Sequence, residues 1–330
     1  MKRLRVGVIG VGHLGSLHAK MYAEIPSAEF IGVMDTDAAR ADAIARDLHV
    51  ASFRTPEELL GRVSAVSIAA PTSAHFELAR RAIQAGVHAL IEKPMASTIE
   101  EASSIVELAK EKNVKVQIGH IERFNPALLA LQKYELRPMF VESHRLAQFN
   151  PRGTDVAVVL DLMIHDIDII VSLVHSPVKS IEANGVAVVS DTIDIANARI
   201  QFENGCVANV TASRISQKKM RKMRLFQKDA YISIDFSEGL AEVFRLRDDS
   251  DTVGKNTMLL GEIDSGAIKR SIVYEQPEVK EVNALKYELE RFVDAVQNDR
   301  EPPVTGAEGL RALRLAHDIM DRIDRKKLVL

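Results

Sequence analysis

A glycine pattern near the N-terminus constrains the fold of this 330-residue chain more than any other feature. Gly10, Gly12 and Gly15 form the pattern G-x-G-x-x-G directly after the apolar run Leu4–Ile9, and the helical pattern His13–Ile25 begins inside it. In such a turn the first glycine permits a tight bend, the second lets a pyrophosphate approach the backbone, and the third lets the helix pack on the strand. The amides at the helix N-terminus then face the phosphates. The pattern predicts a dinucleotide-binding βαβ unit, and a glycine turn that only packs such a unit is the alternative.

An acidic residue at the end of the next apolar run supports the dinucleotide interpretation. Asp35 follows Glu29–Met34, at the distance from the glycines where a carboxylate accepts hydrogen bonds from the adenosine ribose. The same carboxylate repels a 2′-phosphate. Thr36 and Asp37 come next, so no basic residue follows at once, and Arg40 is read as an ordinary charge on the helix surface. The sequence therefore predicts NAD rather than NADP as the cofactor.

Apolar runs and helical patterns alternate through the first 120 residues. Capping patterns at Thr55-Pro56 and at Thr98 with Glu101 mark two of the helix starts. This alternation predicts right-handed crossovers and a parallel sheet that is covered on both faces. The predicted strands are five runs: Leu4–Ile9, Glu29–Met34, Ala65–Ala70, Val87–Ile91 and Val114–Ile118.

The remaining residues have a different texture. Residues 178–236 alternate apolar and polar side chains, as in Ala196 to Phe202, and Asn204-Gly205 is a strong hairpin signal because both positions of that turn favour positive φ. One apolar stripe, from Leu285 to Val296, predicts a late helix, and Thr305 with Glu308 caps a final one. The predicted fold class is therefore α/β followed by α+β: a Rossmann doubly wound parallel sheet over residues 1–120, and a domain with an open, mostly antiparallel sheet over residues 121–330.

Composition excludes several partner classes. The chain has 43 Lys and Arg against 46 Asp and Glu, a net charge of −3, so no nucleic acid or anionic membrane is predicted as a partner. No apolar run approaches the roughly 18 to 20 residues that cross a bilayer. Cys206 is the only cysteine, which excludes an internal disulfide and fits a reducing compartment. These features predict a soluble, cytoplasmic protein.

A lysine follows the fourth predicted strand. Glu92-Lys93-Pro94 comes directly after Val87–Ile91, at the carboxyl edge of the sheet where doubly wound folds bind ligands. Pro94 fixes the backbone direction, and Lys93 supplies a compact cation that can stabilise a developing alkoxide. A solvated surface lysine is the alternative.

A carboxylate and an imidazole share one face of a predicted helix. Asp161 and His165 lie four residues apart within the apolar pattern Val156–Val174. An imidazole that a carboxylate orients is a suitable general base near neutral pH. The alternatives are a buried structural hydrogen bond or a metal site. A metal needs a third ligand, for which His144 and His175 qualify by residue type only, and no metal is predicted.

Taken together, these motifs resemble those of the glucose–fructose oxidoreductase/inositol dehydrogenase/MocA-like family over essentially the whole chain. The resemblance implies a Rossmann domain followed by a substrate-binding domain whose open sheet commonly mediates homo-oligomers, dimers or tetramers. The motifs that carry it are Gly10–Gly15, Pro71-Thr72 with His75, Glu92-Lys93-Pro94, Gly119–Pro126 and Asp161 with His165.

The same resemblance implies the chemistry. It assigns Lys93 to the polarisation of the reacting oxygen, His165 to the exchange of the hydroxyl proton and Asp161 to the orientation of His165. The implied reaction is the oxidation of a secondary sugar alcohol to a ketone, with hydride passing to NAD. The cofactor-binding residues are then Gly10, Gly12, His13, Leu14, Gly15, Asp35, Thr36, Pro71, Thr72, His75, Glu92 and Lys93.

A narrower resemblance concerns the substrate. The segments Ile118–Ala127 and Leu160–Ile169 look like those of dehydrogenases that oxidise C3 of UDP-N-acetylglucosamine for 2,3-diamino sugars, such as those of some lipid A molecules. A free polyol or sugar of the inositol type is an alternative substrate, and a non-catalytic NAD-sensing regulator is an alternative function. Besides Lys93 and His165, the candidate substrate-binding residues are Arg123, Asn125, Arg152, Arg214 and Lys218. For Arg123 and Asn125 the alternative is a network at a helix start, and for the basic run from Lys218 it is a solvated strand edge.

Overall fold

The computed structural model describes residues 2–150, 156–248, 257–264 and 269–327. Within these ranges the chain forms two compact units. The first contains residues 1–121 and 282–314, and the second contains residues 122–281 and 315–330. The first unit is therefore discontinuous in the sequence, because a late segment returns to it.

The first unit is built on a parallel sheet of six strands in the order β3-β2-β1-β4-β5-β6. This is the doubly wound order of a Rossmann fold, so the predicted fold class of the N-terminal part is confirmed. The five predicted runs are all strands, and β3 is an additional edge strand, so the predicted fourth strand is β5. The strands are β1 (Leu4–Ile9), β2 (Ala28–Met34), β3 (Ala51–Phe53), β4 (Ala65–Ile68), β5 (His88–Glu92) and β6 (Val116–Gly119).

Five helices alternate with these strands, and two of them start at the predicted caps. The Thr98 hydroxyl accepts a hydrogen bond from the Glu101 amide while the Glu101 carboxylate accepts one from the Thr98 amide. Thr55 caps the Glu58 amide in the same manner. The helices are α1 (His13–Glu24), α2 (Ala38–Leu48), α3 (Pro56–Leu60), α4 (Thr72–Gln84) and α5 (Ile99–Glu111).

A helix from the late segment completes the core of the first unit. Helix α8 (Ala284–Gln297) buries Leu289, Phe292 and Val293 in one cluster with strands β1 and β2 and helix α1. Its apolar stripe was predicted from the sequence, but its place in the first unit was not. Helix α9 (Gly306–Lys327) begins at the predicted cap, where Thr305 and Glu308 exchange hydrogen bonds.

The second unit contains a nine-stranded sheet in the order β14-β15-β13-β12-β11-β7-β10-β9-β8. Strands β7 and β10 pair in parallel and the other neighbours pair antiparallel, so the mostly antiparallel sheet is confirmed. Short helix α6 (Pro126–Leu129) precedes the sheet, and α7 (Ile164–Val174) packs on β7 and β10. The strands are β7 (Phe140–Leu146), β8 (Val178–Val186), β9 (Ile195–Phe202), β10 (Val207–Ser213), β11 (Met220–Phe226), β12 (Ala230–Asp235), β13 (Leu240–Asp248), β14 (Thr257–Asp264) and β15 (Lys269–Glu275).

The predicted hairpin joins β9 and β10, but its turn differs from the expectation. Ala196 to Phe202 alternate buried and more exposed side chains as predicted. The connection spans four residues, and only Gly205, at φ 86°, has positive φ, whereas Asn204 does not. Asn204 instead accepts a hydrogen bond from the Cys206 amide through its side chain. An Asx-type contact thus replaces the expected two-residue turn.

The face of this sheet opposite α7 carries a row of aromatic rings. In a chain with 11 Phe, 5 Tyr and no Trp, five rings lie on directly paired positions of neighbouring strands. Adjacent ring centroids are 5.0 to 5.8 Å apart. We call this the aromatic row: Phe140, Phe226, Tyr231, Phe244 and Tyr274.

Candidate active site

The glycine turn is shaped to leave open space for a ligand. Gly10 has φ 83°, and a Cβ on Gly15 would lie 1.8 Å from the Gly10 carbonyl oxygen, so these two glycines are required by the packing of α1 on the turn. A Cβ on Gly12 would meet no heavy atom within 4 Å. His13 and Leu14 are exposed in the first turn of α1. The open backbone at a helix N-terminus is the cradle that a pyrophosphate requires.

Asp35 links the end of β2 to this turn. Its Oδ2 accepts a hydrogen bond of 2.7 Å from the Val11 amide, and its Oδ1 accepts one of 2.8 Å from the Asp37 amide. Arg40, whose side chain is 48% exposed, lies 3.5 Å from Asp35 and 3.2 Å from Asp37, so it is a surface charge paired with the carboxylate at the end of β2. Exposed Thr36 follows directly. Asp35 therefore anchors the glycine turn as well as standing where a ribose is expected.

The loop after β4 brings Pro71, Thr72 and His75 to the start of α4. His75 is 1% exposed, and both of its ring nitrogens face main-chain oxygens: Nδ1 is 2.9 Å from the Pro94 carbonyl and Nε2 is 2.8 Å from the Ala70 carbonyl. Burial lowers the pKa of His75, and the two carbonyls and Glu92 only partly offset this effect. This arrangement argues against the predicted direct contact of His75 with the cofactor.

The Glu92-Lys93-Pro94 segment follows β5 as expected. Glu92 is 7% exposed, and its Oε1 is 2.9 Å from Nε2 of His18 on helix α1. Half-buried Lys93 comes next, joined to Pro94 by a cis peptide bond. Glu92 is thus turned into the protein, and Lys93 is the more accessible of the two side chains. Sequence patterns missed His18 because its partner lies 74 residues away.

In the second unit, Asp161 and His165 lie at a change of helix type. Asp161 belongs to a π-helical turn over Val159–Met163, which leads directly into α7 with His165 in its first turn. Both side chains are half-buried, while the neighbouring Met163, Ile164 and Asp166 are buried. π-helical turns are rare and recur at functional sites.

Two arginine forks hold α7 just after His165, one from buried Arg145 and one from half-buried Arg123. Arg145 on β7 donates to both oxygens of Asp166 at 2.8 and 3.0 Å, and to Glu122 at 2.8 Å. Burial alone would lower the pKa of Arg145, but the adjacent charges of Asp166 and Glu122 raise it further than burial lowers it, so the guanidinium stays charged. Arg123 donates to both oxygens of Asp168 at 2.6 and 2.9 Å. Bidentate pairs of this kind fix geometry as well as charge.

The candidate substrate residues of this unit fall into two groups. Arg123 is engaged with Asp168, and Asn125 caps α6 through its Oδ1 while its Nδ2 donates to the Phe236 carbonyl at 3.0 Å. Arg214 is 5% exposed, lies 3.7 Å from Asp194 and donates to the Val156 carbonyl. These positions favour the helix-start network for Arg123 and Asn125, and a structural role for Arg214. Lys218 is exposed between β10 and β11, and Arg152 lies outside the described residues.

Asp194 explains why Arg214 is held where it is. The three amides of Val188, Val189 and Ser190 donate to one oxygen of Asp194 at 2.7 to 3.0 Å. Burial would raise the pKa of Asp194, but these amides and the Ser190 hydroxyl lower it well below the usual range of a carboxyl. Asp194 therefore remains an anion that organises its loop and attracts Arg214.

In the part of the chain that the structure describes, no three His, Cys, Asp or Glu side chains are grouped so that they could hold a metal ion. No described helix is both long enough and apolar enough to cross a membrane.

The six-stranded order, the open glycine turn and the acidic end of β2 define the first unit as a dinucleotide-binding Rossmann unit. A model of the oxidoreductase family with an NAD-binding Rossmann fold matches residues 4–120, and a model of the GFO/IDH/MocA C-terminal domain matches residues 137–241. The chain belongs to the GFO/IDH/MocA oxidoreductase family, and its first unit is an NAD-binding domain. The predictions of the family, of an oxidoreductase and of NAD are confirmed.

Individual relatives are similar over different lengths. The UDP-N-acetylglucosamine 3-dehydrogenase of Acidithiobacillus ferrooxidans is 38% identical over 96% of this chain and 96% of its own. A solved structure of that enzyme has a TM-score of 0.87 and covers 98% of this chain and 99% of its own, with 37% identity. The scyllo-inositol 2-dehydrogenase of Bacillus subtilis is 29% identical over 65% of this chain and 68% of its own.

Proposed function

We propose that this protein oxidises the C3 hydroxyl of UDP-N-acetylglucosamine with NAD, giving a 3-keto nucleotide sugar for the biosynthesis of 2,3-diamino sugars. The observation that carries the proposal is the 38% identity to a UDP-N-acetylglucosamine 3-dehydrogenase over 96% of both chains. The similarity to the Bacillus inositol enzyme is lower and covers only about two thirds of either chain. The polyol alternative is therefore the weaker one.

The cofactor site fits NAD. Gly12 leaves its backbone open to the pyrophosphate, and Asp35 presents its carboxylate to the ribose from the end of β2. Five further candidate cofactor residues follow strands β1, β2 and β4 at the same edge of the sheet: His13, Leu14, Thr36, Pro71 and Thr72. NAD, when bound, accepts a hydride from the carbon that is oxidised.

Residues of this chain accept the hydroxyl proton and stabilise the negative charge on the oxygen. His165 takes the proton of the C3 hydroxyl as the C–H electron pair leaves, so that the alcohol becomes a ketone and the imidazole becomes charged. Asp161 orients the imidazole and stabilises its charged form. The Lys93 ammonium stabilises the negative charge that develops on the oxygen. Glu92 supports Lys93 from within the sheet.

The diphosphate of the substrate requires cations. We assign the binding of the diphosphate to Lys218, which is exposed between β10 and β11, and to Arg152. Arg123 and Arg214 contribute by holding helix α7 and the loop at Asp194 in place. Asn125 contributes by starting α6, beside the segment that follows β6.

Assembly and location complete the proposal. The aromatic row leaves apolar rings on one face of an open sheet, which is the kind of surface that a second copy covers. We therefore propose a homo-oligomer through this sheet. A single, buried cysteine, Cys206, and the use of NAD and a nucleotide sugar favour the cytoplasm as the place of action.

The experiment is a direct assay of NADH formation. The purified protein is mixed with NAD and, separately, with UDP-N-acetylglucosamine, UDP-glucose, free N-acetylglucosamine and myo-inositol. We expect NADH with UDP-N-acetylglucosamine and a keto product at C3 by NMR. Activity on inositol alone would establish the polyol alternative, and NAD binding without turnover of any alcohol would favour the regulator.

Two variants test the assigned roles in the same assay. His165→Gln is expected to lower kcat by about 10²- to 10⁴-fold, the usual contribution of a general base. It should also remove the acidic fall in activity over about pH 5 to 8 that a histidine base causes. Lys218→Ala is expected to raise KM for the nucleotide sugar with little change in kcat. A wild-type rate in His165→Gln would exclude His165 as the base.

A further inference from the structure

The lysine segment after β5 is held from both sides by buried histidines of the same unit. His18 contacts Glu92, which precedes Lys93, and His75 contacts Pro94, which follows it. His18 is 0% exposed and His75 is 1% exposed. Buried polar side chains are costly unless they are bonded, so two of them on one three-residue segment indicate a specific role.

The contact of His18 with Glu92 is specific in its atoms. Because a carboxylate only accepts hydrogen bonds, Nε2 of His18 carries the proton that it shares with Oε1 of Glu92 at 2.9 Å. Nδ1 of His18 has no hydrogen-bond partner in the described part of the chain. The one hydrogen bond that the described part of the chain gives the buried His18 ring is therefore the bond to Glu92.

Glu92 has little freedom to move away from this contact. It pairs with Gly119 on the neighbouring strand β6, and a Cβ on Gly119 would lie 2.7 Å from Oε1 of Glu92. The carboxylate thus occupies the space that any other residue at 119 would fill. Its second oxygen accepts a hydrogen bond of 3.3 Å from the Lys93 amide. The backbone at Lys93 is therefore tied to the carboxylate that His18 holds.

His75 fixes the other end of the segment. Its Nδ1 lies 2.9 Å from the Pro94 carbonyl, and its Nε2 lies 2.8 Å from the Ala70 carbonyl at the end of β4. The ring thus packs between the loop after β4 and the loop after β5, and its neutral form donates to one of the two carbonyls. Since Lys93 lies between the two contacts, the direction in which its side chain leaves the backbone is set at both ends.

We propose that His18 and His75 are positioning residues that aim the Lys93 ammonium at the reacting oxygen. The proposal rests on the catalytic role proposed for Lys93. Because a lysine side chain is long and flexible, the position of its ammonium depends on how firmly its backbone is held. A misplacement of about 1 Å can cost about 10²-fold in rate.

The test compares four variants of the whole chain, of which His75→Phe removes the second contact. His18→Phe fills the same space without the hydrogen bond, His18→Gln keeps a donor toward Glu92, and Tyr22→Phe is the matched control. Tyr22 lies one turn further along α1, is fully buried, and hydrogen-bonds Ser67 at 2.8 Å without contacting Glu92. Each variant is assayed for kcat and for KM of NAD and of UDP-N-acetylglucosamine.

We expect His18→Phe to lower kcat by about 10- to 100-fold, as misplacement of a catalytic group does, with KM for NAD within about twofold of the wild type. His18→Gln should recover most of this loss, and Tyr22→Phe should keep the wild-type kcat. His75→Phe should lower kcat in the same way as His18→Phe. Equal losses of kcat in His18→Phe and Tyr22→Phe, or no recovery in His18→Gln, would overturn the proposal.

A second measurement does not depend on turnover. Hydrogen exchange of the unliganded protein should be faster in peptides that cover residues 92–96 in His18→Phe, and unchanged there in Tyr22→Phe. Unchanged exchange in His18→Phe would overturn the proposal even if activity fell. Failure of the proposed function appears elsewhere, as a wild-type protein that forms no NADH from UDP-N-acetylglucosamine. If His18→Phe does not fold, His18→Asn, whose shorter amide does not reach Glu92, takes its place.

Discussion

At the scale of single residues, we expect Asp35 to serve both the protein and the cofactor with its two carboxylate oxygens. Both accept hydrogen bonds from backbone amides, and Arg40 is held 3.5 Å away. The carboxylate keeps the guanidinium occupied and repels a 2′-phosphate. We therefore expect selectivity for NAD to depend on the Asp35–Arg40 pair and not on Asp35 alone.

Replacing Asp35 by serine tests this pair. We expect Asp35→Ser to bind NAD more weakly and NADP more tightly, lowering the preference for NAD by about tenfold or more, because about 1.4 kcal/mol of altered charge interaction is a factor of ten in affinity. The affinities are measured by calorimetry. Arg40→Ala on the Asp35→Ser background should remove the gain for NADP. An unchanged ratio in Asp35→Ser would contradict the assigned ribose role.

We expect His75 to make the stability of the protein depend on pH. Burial lowers the pKa of His75 in the folded state, so the unfolded state binds more protons as the pH falls below the ordinary histidine value of about 6.5. The folded state therefore loses stability as the pH falls through this range and keeps it above. In urea unfolding at pH 5.5 and 7.5, we expect His75→Gln to lose less stability on acidification than the wild type. His49→Asn, which changes an exposed histidine, should behave like the wild type.

Residue chemistry that is local in the sequence could be predicted, and chemistry between distant residues could not. Gly10 to Gly15 and Asp35 follow from one βαβ unit whose geometry is nearly invariant. Lys93 follows from its place after a strand. Glu92 contacts His18, which lies 74 residues away, and Asp166 contacts Arg145, which lies 21 residues away. Nothing in a linear pattern pairs these residues.

At the scale of elements, the start of α1 contains two kinds of glycine. Gly15 is required by the packing of the helix, whereas we expect Gly12 to be required for cofactor binding. A methyl group on Gly15 would collide with the Gly10 carbonyl, whereas one on Gly12 would enter open space. We expect Gly15→Ala to lower the free energy of unfolding by more than about 2 kcal/mol, because overpacked sites typically cost about 1 to 3 kcal/mol. Gly12→Ala should keep the wild-type stability and bind NAD at least about tenfold more weakly. Thermal unfolding and calorimetry measure the two effects, and equal behaviour of the variants would contradict this division.

Helix α7 depends on buried charge. Arg145→Met leaves Asp166 and Glu122 buried without their cation, and breaking a buried pair in this way typically costs about 3 to 5 kcal/mol. Arg224→Met breaks an exposed pair with Glu142 and should cost less than about 1 kcal/mol. Urea unfolding compares the two variants. A loss in Arg145→Met as small as that in Arg224→Met would show that the fork does not stabilise the helix.

Elements were predictable where their pattern is long and regular. The runs at β1, β2, β4, β5 and β6 and the caps of α3, α5 and α9 were predicted within a few residues. Strand β3 has three residues, too few for any periodicity, and the strands β7 and β13–β15 lie outside the stretch whose alternation was recognised. The π-helical turn at Asp161 leaves no signal in an apolar helix, since one extra residue in a turn changes the hydrogen bonds and not the composition.

At the scale of the whole molecule, the division into units follows contacts that the sequence order hides. The apolar stripe of α8 predicts that the helix is buried on one side, but it does not say against which part of the chain. Leu289 and Phe292 join the core of strands that lie more than 250 residues earlier. The resemblance to a family predicted two domains; which of them receives α8 is a matter of tertiary packing.

We expect the aromatic row to form the contact between copies of this chain. Five rings in register across β7, β11, β12, β13 and β15, with Met258 60% exposed beside Tyr274, form an apolar stripe of the kind that marks an interaction surface. We expect the wild type to be an oligomer by size exclusion with light scattering, and Phe226→Arg to yield a species of half the mass or less, because an arginine within the stripe opposes burial of its neighbours. Val189→Arg, at a residue 53% exposed in the loop that Asp194 organises, is the control and should keep the wild-type mass. An oligomer of unchanged mass in Phe226→Arg would place the interface on another surface, whereas dissociation in that variant alone would identify the row as the contact through which the chains associate.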